Sequence, residues 1–458
     1  MLFSSLIFLS IFLPLTMFLY FIVKKSLKNY ILLIASLIFY GWGEPKYLGL
    51  MLIVILLNYL FAILIDKNIY KRLNLLIAVI INLSILIYFK YFNFIILNFN
   101  KVFEKNIEIT NIIMPIGISF FIFQSMSYVI DVYHGEVKIQ KNIYNLALYI
   151  SLFPQLIAGP IVKYHEIQLQ IENRQENINN IFLGLKRFSF GLGKKVLLAN
   201  TLGEVSDTIF NSSFNIIDLK IAWLGAICYS LQLYFDFSGY SDMAIGLGKI
   251  FGFHFLENFD YPYISKSITE FWRRWHISLG SWFREYLYIP LGGNKINKTR
   301  TYINLFIVFL VTGIWHGANW TFILWGIWHG IFIILERIIN IEKYKDTKFI
   351  VLRHIYTVII FIVGWVLFRA DTLSYAYNYI KLMFGLEKNL KIGYTLFYYM
   401  NNKVILTLVV SILASISSFK FIAENNNKIS NILSILILIL SIISISAATY
   451  NPFIYFRF

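Results

Sequence analysis

The sequence predicts an all-α, polytopic membrane protein. Apolar runs long enough to cross about 30 Å of hydrocarbon recur along most of its 458 residues. Only 14% of the residues are charged, against 58% apolar, and the mean hydropathy is +0.68. A soluble chain of this size needs more charge to stay in solution. Short alternating strands of the kind that build a membrane barrel are not visible.

The elements follow in order. Residues 1–23 are apolar, lack a basic start and carry no small-residue cleavage pattern before Lys24-Lys25. They predict a first transmembrane helix rather than a removed signal peptide. Spans follow at roughly 29–42, 47–65, 73–98, 112–130, 144–160, 180–202 and 218–250, the last read as two helices. Later spans fall at about 302–314, 320–340, 349–370, 403–421 and 427–449. About ten to thirteen membrane-embedded helices are expected in total. They are read as one membrane domain over 1–458, with a core at 111–340, N-terminal helices at 1–98 and C-terminal helices at 349–449. Pro115, Pro154 and the Gly159-Pro160 pair lie in or beside apolar runs and predict kinks, half-helices or re-entrant segments.

The loops set an orientation. Lys24-Lys25-Ser26-Leu27-Lys28 is basic, the turn around Gly43-Glu44-Pro45-Lys46 is near neutral, and Asp66-Lys67 to Lys71-Arg72 is basic again. This alternation predicts an extracytoplasmic N-terminus. The formal charge of +16 has the same origin. It sits in short loops between spans, so it speaks for membrane topology and lipid contact and against nucleic-acid binding. The single cysteine, Cys228, lies in an apolar segment with no basic residue near it in sequence. It excludes an internal disulfide and a cysteine-based metal site. The richness in Ile, Asn and Lys is that of an AT-rich bacterial genome.

The segment 255–300 departs from the apolar pattern. From Lys266 to Arg300 it carries seven basic residues against two acids, Glu270 and Glu285, and it stays rich in aromatics. Ser267-Ile268-Thr269-Glu270 matches a capping box. It predicts an amphipathic helix bearing Phe271, Trp272, Trp275, His276, Leu279, Trp282 and Phe283 in the cytoplasmic interface or dipping into the bundle.

Two histidines stand out. His316 lies in Gly313-Ile314-Trp315-His316-Gly317, between two uncharged apolar runs, where polar groups are expensive and usually functional. His276 lies in Phe271-Trp272-Arg273-Arg274-Trp275-His276. A neutral imidazole can take the proton of a hydroxyl as that hydroxyl attacks an acyl group. A structural histidine bonded to a helix carbonyl is the other reading. Gly-Ile-Trp-His-Gly recurs at 326–330, and its His329 is read as a packing residue. On one straight helix, thirteen residues turn His329 away from His316 unless the chain breaks at Gly317 to Asn319. His134, His165, His254 and His354 read as interfacial, and no zinc-binding spacing occurs. No metal is expected.

Tyr234-Phe235-Asp236-Phe237-Ser238-Gly239-Tyr240-Ser241-Asp242 sets carboxylates and hydroxyls between apolar runs, with Asp236 and Tyr240 on one helix face. An ion or proton path and a hydrogen-bonded clamp are both open there. Arg273 and Arg274 suit phosphate contact or act as topological anchors. With Trp272, Trp315, Asp236, Ser238, Tyr240 and Asn319 they form the candidate substrate- and donor-binding set.

With these residues in view, the chain resembles the membrane-bound O-acyltransferase superfamily, in its alginate O-acetyltransferase-like branch. The matching pieces are Phe3 to Leu15, Gly41-Trp42-Gly43-Glu44-Pro45, Met114 to Phe120, Phe153-Pro154-Gln155 and Ala158-Gly159-Pro160. Tyr234 to Gly246, Phe271 to Gly293 and Thr312 to Gly330 are the most specific. The resemblance implies a helix bundle around a central tunnel, with His316 as the characteristic catalytic histidine and His276 as a second site position. It implies transfer of an acyl group, often acetyl, from a cytoplasmic thioester to an extracytoplasmic hydroxyl. The donor is acetyl-CoA or an acyl-carrier thioester, no cofactor stays bound, and the acceptor is a cell-envelope polysaccharide of a bacterial cell membrane. An esterase-like partner protein completes delivery in some relatives. D-alanyl transfer to teichoic acid from a carrier protein is the alternative within the family. A membrane transporter is the alternative outside it, and the inverted repeats it requires are not visible.

Overall fold

The computed structural model describes residues 1–341, 349–386, 394–416, 427–447 and 450–452. Every regular element among them is helical. The elements are α1 (Phe8–Ile22), α2 (Lys28–Gly43), α3 (Pro45–Asp66), α4 (Lys71–Phe103), α5 (Ile118–His134), α6 (Ile143–Ser151), α7 (Phe153–Leu156), α8 (Tyr164–Glu172), α9 (Ile178–Gly193) and α10 (Asn200–Phe210). They continue with α11 (Leu219–Ile250), α12 (Ile268–Arg274), α13 (Ile277–Phe283), α14 (Lys298–His316), α15 (Trp320–Ile339), α16 (Ile350–Arg369), α17 (Leu373–Met383), α18 (Leu396–Tyr399), α19 (Asn402–Ala414) and α20 (Lys428–Ala447). Five of them, α3, α4, α15, α16 and α20, are long and apolar enough to cross a membrane, and α1 and α19 are shorter apolar helices. The protein is an all-α multi-pass membrane protein.

The chain forms two compact units, Met1–Phe188 with Ser241–Leu256 and Ser189–Tyr240 with Glu257–Phe458. In the first, the rings of Phe3, Phe8, Phe12, Phe39 and Phe153 make one aromatic core, with Phe12 and Phe153 edge to face at 5.4 Å. Asn58 of α3 and Asn82 of α4 exchange amide hydrogen bonds at 3.2 and 2.9 Å, a buried pair that fixes how these two spans meet. The expected span at 144–160 is interrupted. α6 ends at Ser151, α7 is a single turn with Pro154 in it, and non-helical chain follows. The chain there is too close-packed for side chains. A Cβ on Gly159 would lie 2.6 Å from Gln155 Cα, and one on Gly117 (φ +73°) would lie 2.8 Å from the Leu156 carbonyl oxygen.

The second unit holds a core rich in large rings, among them Phe271, Trp275, Trp325, Trp365 and Phe368. Two sequence expectations of helix extent are corrected. The segment 218–250, read as two helices, is one helix of 32 residues. Its Gly239, Gly246 and Gly248 sit in close contact with neighbouring atoms, so they serve approach rather than a break. The segment after Ser267, read as one amphipathic helix, is two, because His276 adopts φ +46° between α12 and α13. The Ser267 side chain does cap α12, accepting from the Glu270 amide at 3.0 Å, and Glu270 in turn accepts from the Lys266 amide. The expected spans at 403–421 and 427–449 are helical over 402–414 and 428–447, and their remainders 417–421 and 448–449 lie outside the described residues.

Candidate functional site

α14 ends at His316 and α15 begins at Trp320, so the chain breaks at Gly317 to Asn319. The break makes a tight helical hairpin, and the repeated pentapeptide explains how tight. A Cβ on Gly313 would stand 2.5 Å from the Phe322 carbonyl oxygen, and one on Gly326 would stand 2.4 Å from that of Phe309. The first glycine of each repeat therefore faces the other across the hairpin, each with a Cβ position about 3 Å from the opposite Cα. Because the chain folds back, both histidines reach the same indole. The rings of His316 and Trp325 lie 4.9 Å apart and those of Trp325 and His329 5.2 Å apart.

The two imidazoles then differ. His329 is fully buried, with Trp272 at 5.0 Å, and its Nε2 is 2.5 Å from where a Cβ on Gly364 would lie. It fills a slot between rings and backbone. His316 is half-buried at a helix end, against Trp315 (4.9 Å), Trp325 and Phe368 (5.0 Å). The Trp315 ring lies 4.9 Å from that of His316 and 6.4 Å from that of His276. The break in α14–α15 and the break between α12 and α13 thus bring the two sequence-predicted histidines to one tryptophan.

His276 is 2% exposed. Phe237 stands edge-on to it at 4.6 Å and Phe259 lies at 6.4 Å. Its Nδ1 is 3.1 Å from Oδ1 of Asn258, and its Nε2 has no hydrogen-bond partner among the described residues. Asn258 was not singled out from the sequence. A lone asparagine in a short polar loop carries no signal, and only the fold returns it to His276.

The remaining predicted residues divide. Trp272 joins the aromatic wall at 5.4 Å from Trp325. Arg273 is exposed on α12, whereas Arg274 pairs with Asp260 at 3.0 Å and Glu270 at 3.1 Å and braces the loop before α12. Asn319 caps α15 by accepting from the Thr321 amide, and its Nδ2 donates to the Asp371 carbonyl. Asp236 forms a buried ion pair with Lys195 at 2.8 Å. Lys195 also donates to Asn200 at 2.8 Å and to the Pro452 carbonyl. Asp236 is thus held in a buried ion pair, and Lys195, a charge inside an apolar run, is the sequence signal that could have found it. Ser238 and Tyr240 are buried on the same helix.

Glu336 closes the arrangement from below. Its carboxylate, 3% exposed, accepts from the amides of Ile268 (2.5 Å) and Thr269 (2.8 Å) and from the Thr269 hydroxyl (2.6 Å). An acid from α15 thereby satisfies the orphan amides at the start of α12. In the first unit, Asp131, Glu136 and His165 offer donor atoms within 4.8 Å of one another. There His165 Nδ1 is already engaged by Asp131 at 3.1 Å, which raises the imidazole above its ordinary pKa.

Residues 136–377, more than half the chain, match the model of the membrane-bound O-acyltransferase family. The chain belongs to that family. It is 39% identical to the "Probable alginate O-acetylase" of Pseudomonas putida over the full length of both. It is 42% identical to the protein of the same description in Azotobacter vinelandii over 84% of this chain and 78% of that one. To the "Peptidoglycan O-acetyltransferase" of Helicobacter pylori it is 38% identical over 84% of this chain and 80% of the other. This O-acyltransferase therefore carries its two histidines and Trp315 within the region that defines the family, at 136–377.

Proposed function

We propose that this O-acyltransferase moves an acetyl group from a cytoplasmic thioester, acetyl-CoA or an acyl-carrier thioester, to hydroxyls of a bacterial cell-envelope polysaccharide, directly or through an extracytoplasmic esterase-like partner. The names of these relatives support acetyl as the group and a polysaccharide as the acceptor. The basic loops at 24–28 and 66–72 support a cell-membrane topology with the N-terminus outside. The charge of the 266–300 segment supports donor docking on the cytoplasmic face, with exposed Arg273 as a phosphate contact.

The observation that carries the reading is Trp315 with two imidazoles beside its ring, His316 at 4.9 Å and His276 at 6.4 Å. In the proposed course the donor acetyl enters a tunnel and meets the acceptor hydroxyl there. His316 takes the hydroxyl proton as the C–O bond forms, His276 assists, and the C–S bond breaks to release a thiol. The wall of Trp272, Trp325 and Phe368 keeps water from the thioester. The test is genetic and chemical. Cells lacking the protein should lose alkali-labile O-acetyl esters from their envelope polysaccharide, and the full-length protein should restore them. Unchanged ester content in the deletion strain would reject the reading.

A further inference from the structure

What "assists" means at His276 is written in the hydrogen bonds of Asn258. Asn258 is almost fully buried, and one of its amide atoms faces three groups: the Ser278 amide at 3.2 Å, the Ser278 hydroxyl at 2.9 Å and His276 Nδ1 at 3.1 Å. The Ser278 backbone N–H can only donate, so the atom it meets is the amide oxygen, not the nitrogen. An amide oxygen only accepts. His276 Nδ1 must therefore carry its proton, and the neutral ring has its lone pair on Nε2. That Nε2 is buried and without a hydrogen-bond partner among the described residues.

The backbone enforces the same arrangement. His276 stands at φ +46° as the residue before α13, a conformation that turns the ring back towards the 258 loop, and the Ile277 amide donates to the Asn258 carbonyl at 2.9 Å. The rings of Phe237, Phe259 and Trp315 surround the imidazole and offer Nε2 no acceptor that would favour the other tautomer. A ring held this way cannot donate from Nε2, so it is not an oxyanion donor.

We infer that Asn258 is a positioning residue that locks His276 in the Nδ1–H tautomer, so that Nε2 of His276 is a proton acceptor sharing the base function with His316. The inference rests on the proposed acyl transfer at Trp315. The step balances with no further reactant. The hydroxyl oxygen bonds to the acyl carbon, its proton passes to an imidazole nitrogen, the C–S bond breaks, and that proton leaves on the thiol. Asn258 supplies what an outer hydrogen-bond partner supplies to a working histidine, orientation and tautomer, and loss of such partners costs about 10–100-fold.

The test uses the full-length protein in proteoliposomes with acetyl-CoA as the probe, scoring thiol release together with the melting temperature. Asn258→Leu should lower kcat about 10–100-fold with KM for acetyl-CoA unchanged, and should lower the melting temperature because the buried Ser278 amide loses its acceptor. Asn258→Asp, which keeps an acceptor oxygen, should restore most of the rate. Equal loss in both variants, or wild-type kcat in Asn258→Leu, would overturn the inference. His276→Gln separates it from the underlying reading: wild-type activity there would remove His276 from the site altogether. Nitrogen-15 spectra of histidine-labelled wild-type protein, assigned with His276→Gln, need no folded Asn258 variant. Nε2 of His276 should resonate as an unprotonated ring nitrogen, and a protonated Nε2 with bare Nδ1 would overturn the inference.

Discussion

The pair α3–α4 and the pair α14–α15 are both antiparallel helix hairpins, yet they are built on different rules. α3 and α4 run uninterrupted for 22 and 33 residues, and their one buried polar contact, Asn58 with Asn82, satisfies itself. α14 and α15 are capped by side chains of Asn297 and Asn319, approach through Gly313 and Gly326, and end in a break that holds His316. The first pair spans; the second presents. Chemistry gathers where helices stop, because only there can a side chain leave the lipid-facing register and meet residues from other elements.

The largest expected effect breaks the buried ion pair of the second unit. Lys195→Met removes the cation 2.8 Å from Asp236 in a site 2–3% exposed and should cost about 3–5 kcal/mol, read as a drop in detergent melting temperature. Adding Asp236→Leu should recover most of that loss. Failure of the double variant to recover would mean the pair has a role beyond neutralising itself.

Next comes the hairpin. Gly326→Ala sets a methyl 2.4 Å from the Phe309 carbonyl oxygen and should destabilise by about 1–3 kcal/mol. Gly49→Ala in α3 adds a Cβ with nothing within 4 Å of it. If the two variants lose equal stability, the contrast between spanning and presenting hairpins fails.

The arginines sharpen the comparison within α12. Arg273→Ala should raise KM for acetyl-CoA about tenfold, the worth of one charge-assisted phosphate contact, with the melting temperature unchanged. Arg274→Ala should do the reverse, since it releases Asp260 and Glu270. A common effect on KM would make both of them donor contacts.

The smallest effect belongs to the first unit. Hydrogen bonding to Asp131 raises the His165 imidazole above its ordinary 6.5. A raised folded value means the pair's stability is fully present below about pH 6.5 and is lost as pH rises through the folded value. His165→Leu should therefore lower the melting temperature at pH 6 more than at pH 9. A pH-independent difference would assign His165 to packing alone.

Hydropathy made the spans legible, because the bilayer demands long apolar helices wherever chain meets lipid. α2, α3, α4, α15 and α16 fall within a few residues of their expected places. His316, His276 and Trp315 were legible because imidazoles in apolar, aromatic sequence need a reason to be there. The breaks were not. A left-handed residue at His276 leaves no mark in periodicity, and α11 stays whole where two helices were expected. Asn258 and Glu336 were invisible for a related reason: each acts on a partner 18 or 68 residues away, and nothing local to them announces it.

The most direct measurement compares the two histidines that touch Trp325. His316→Ala and His329→Phe are produced as full-length proteins, matched for amount and folded state, and the O-acetyl ester content of the envelope polysaccharide is assayed. His316→Ala should abolish acetylation while the protein stays folded, and His329→Phe, which keeps a ring in the slot, should retain it. Wild-type acetylation in His316→Ala with loss in His329→Phe would contradict the assignment of the site to the helix break.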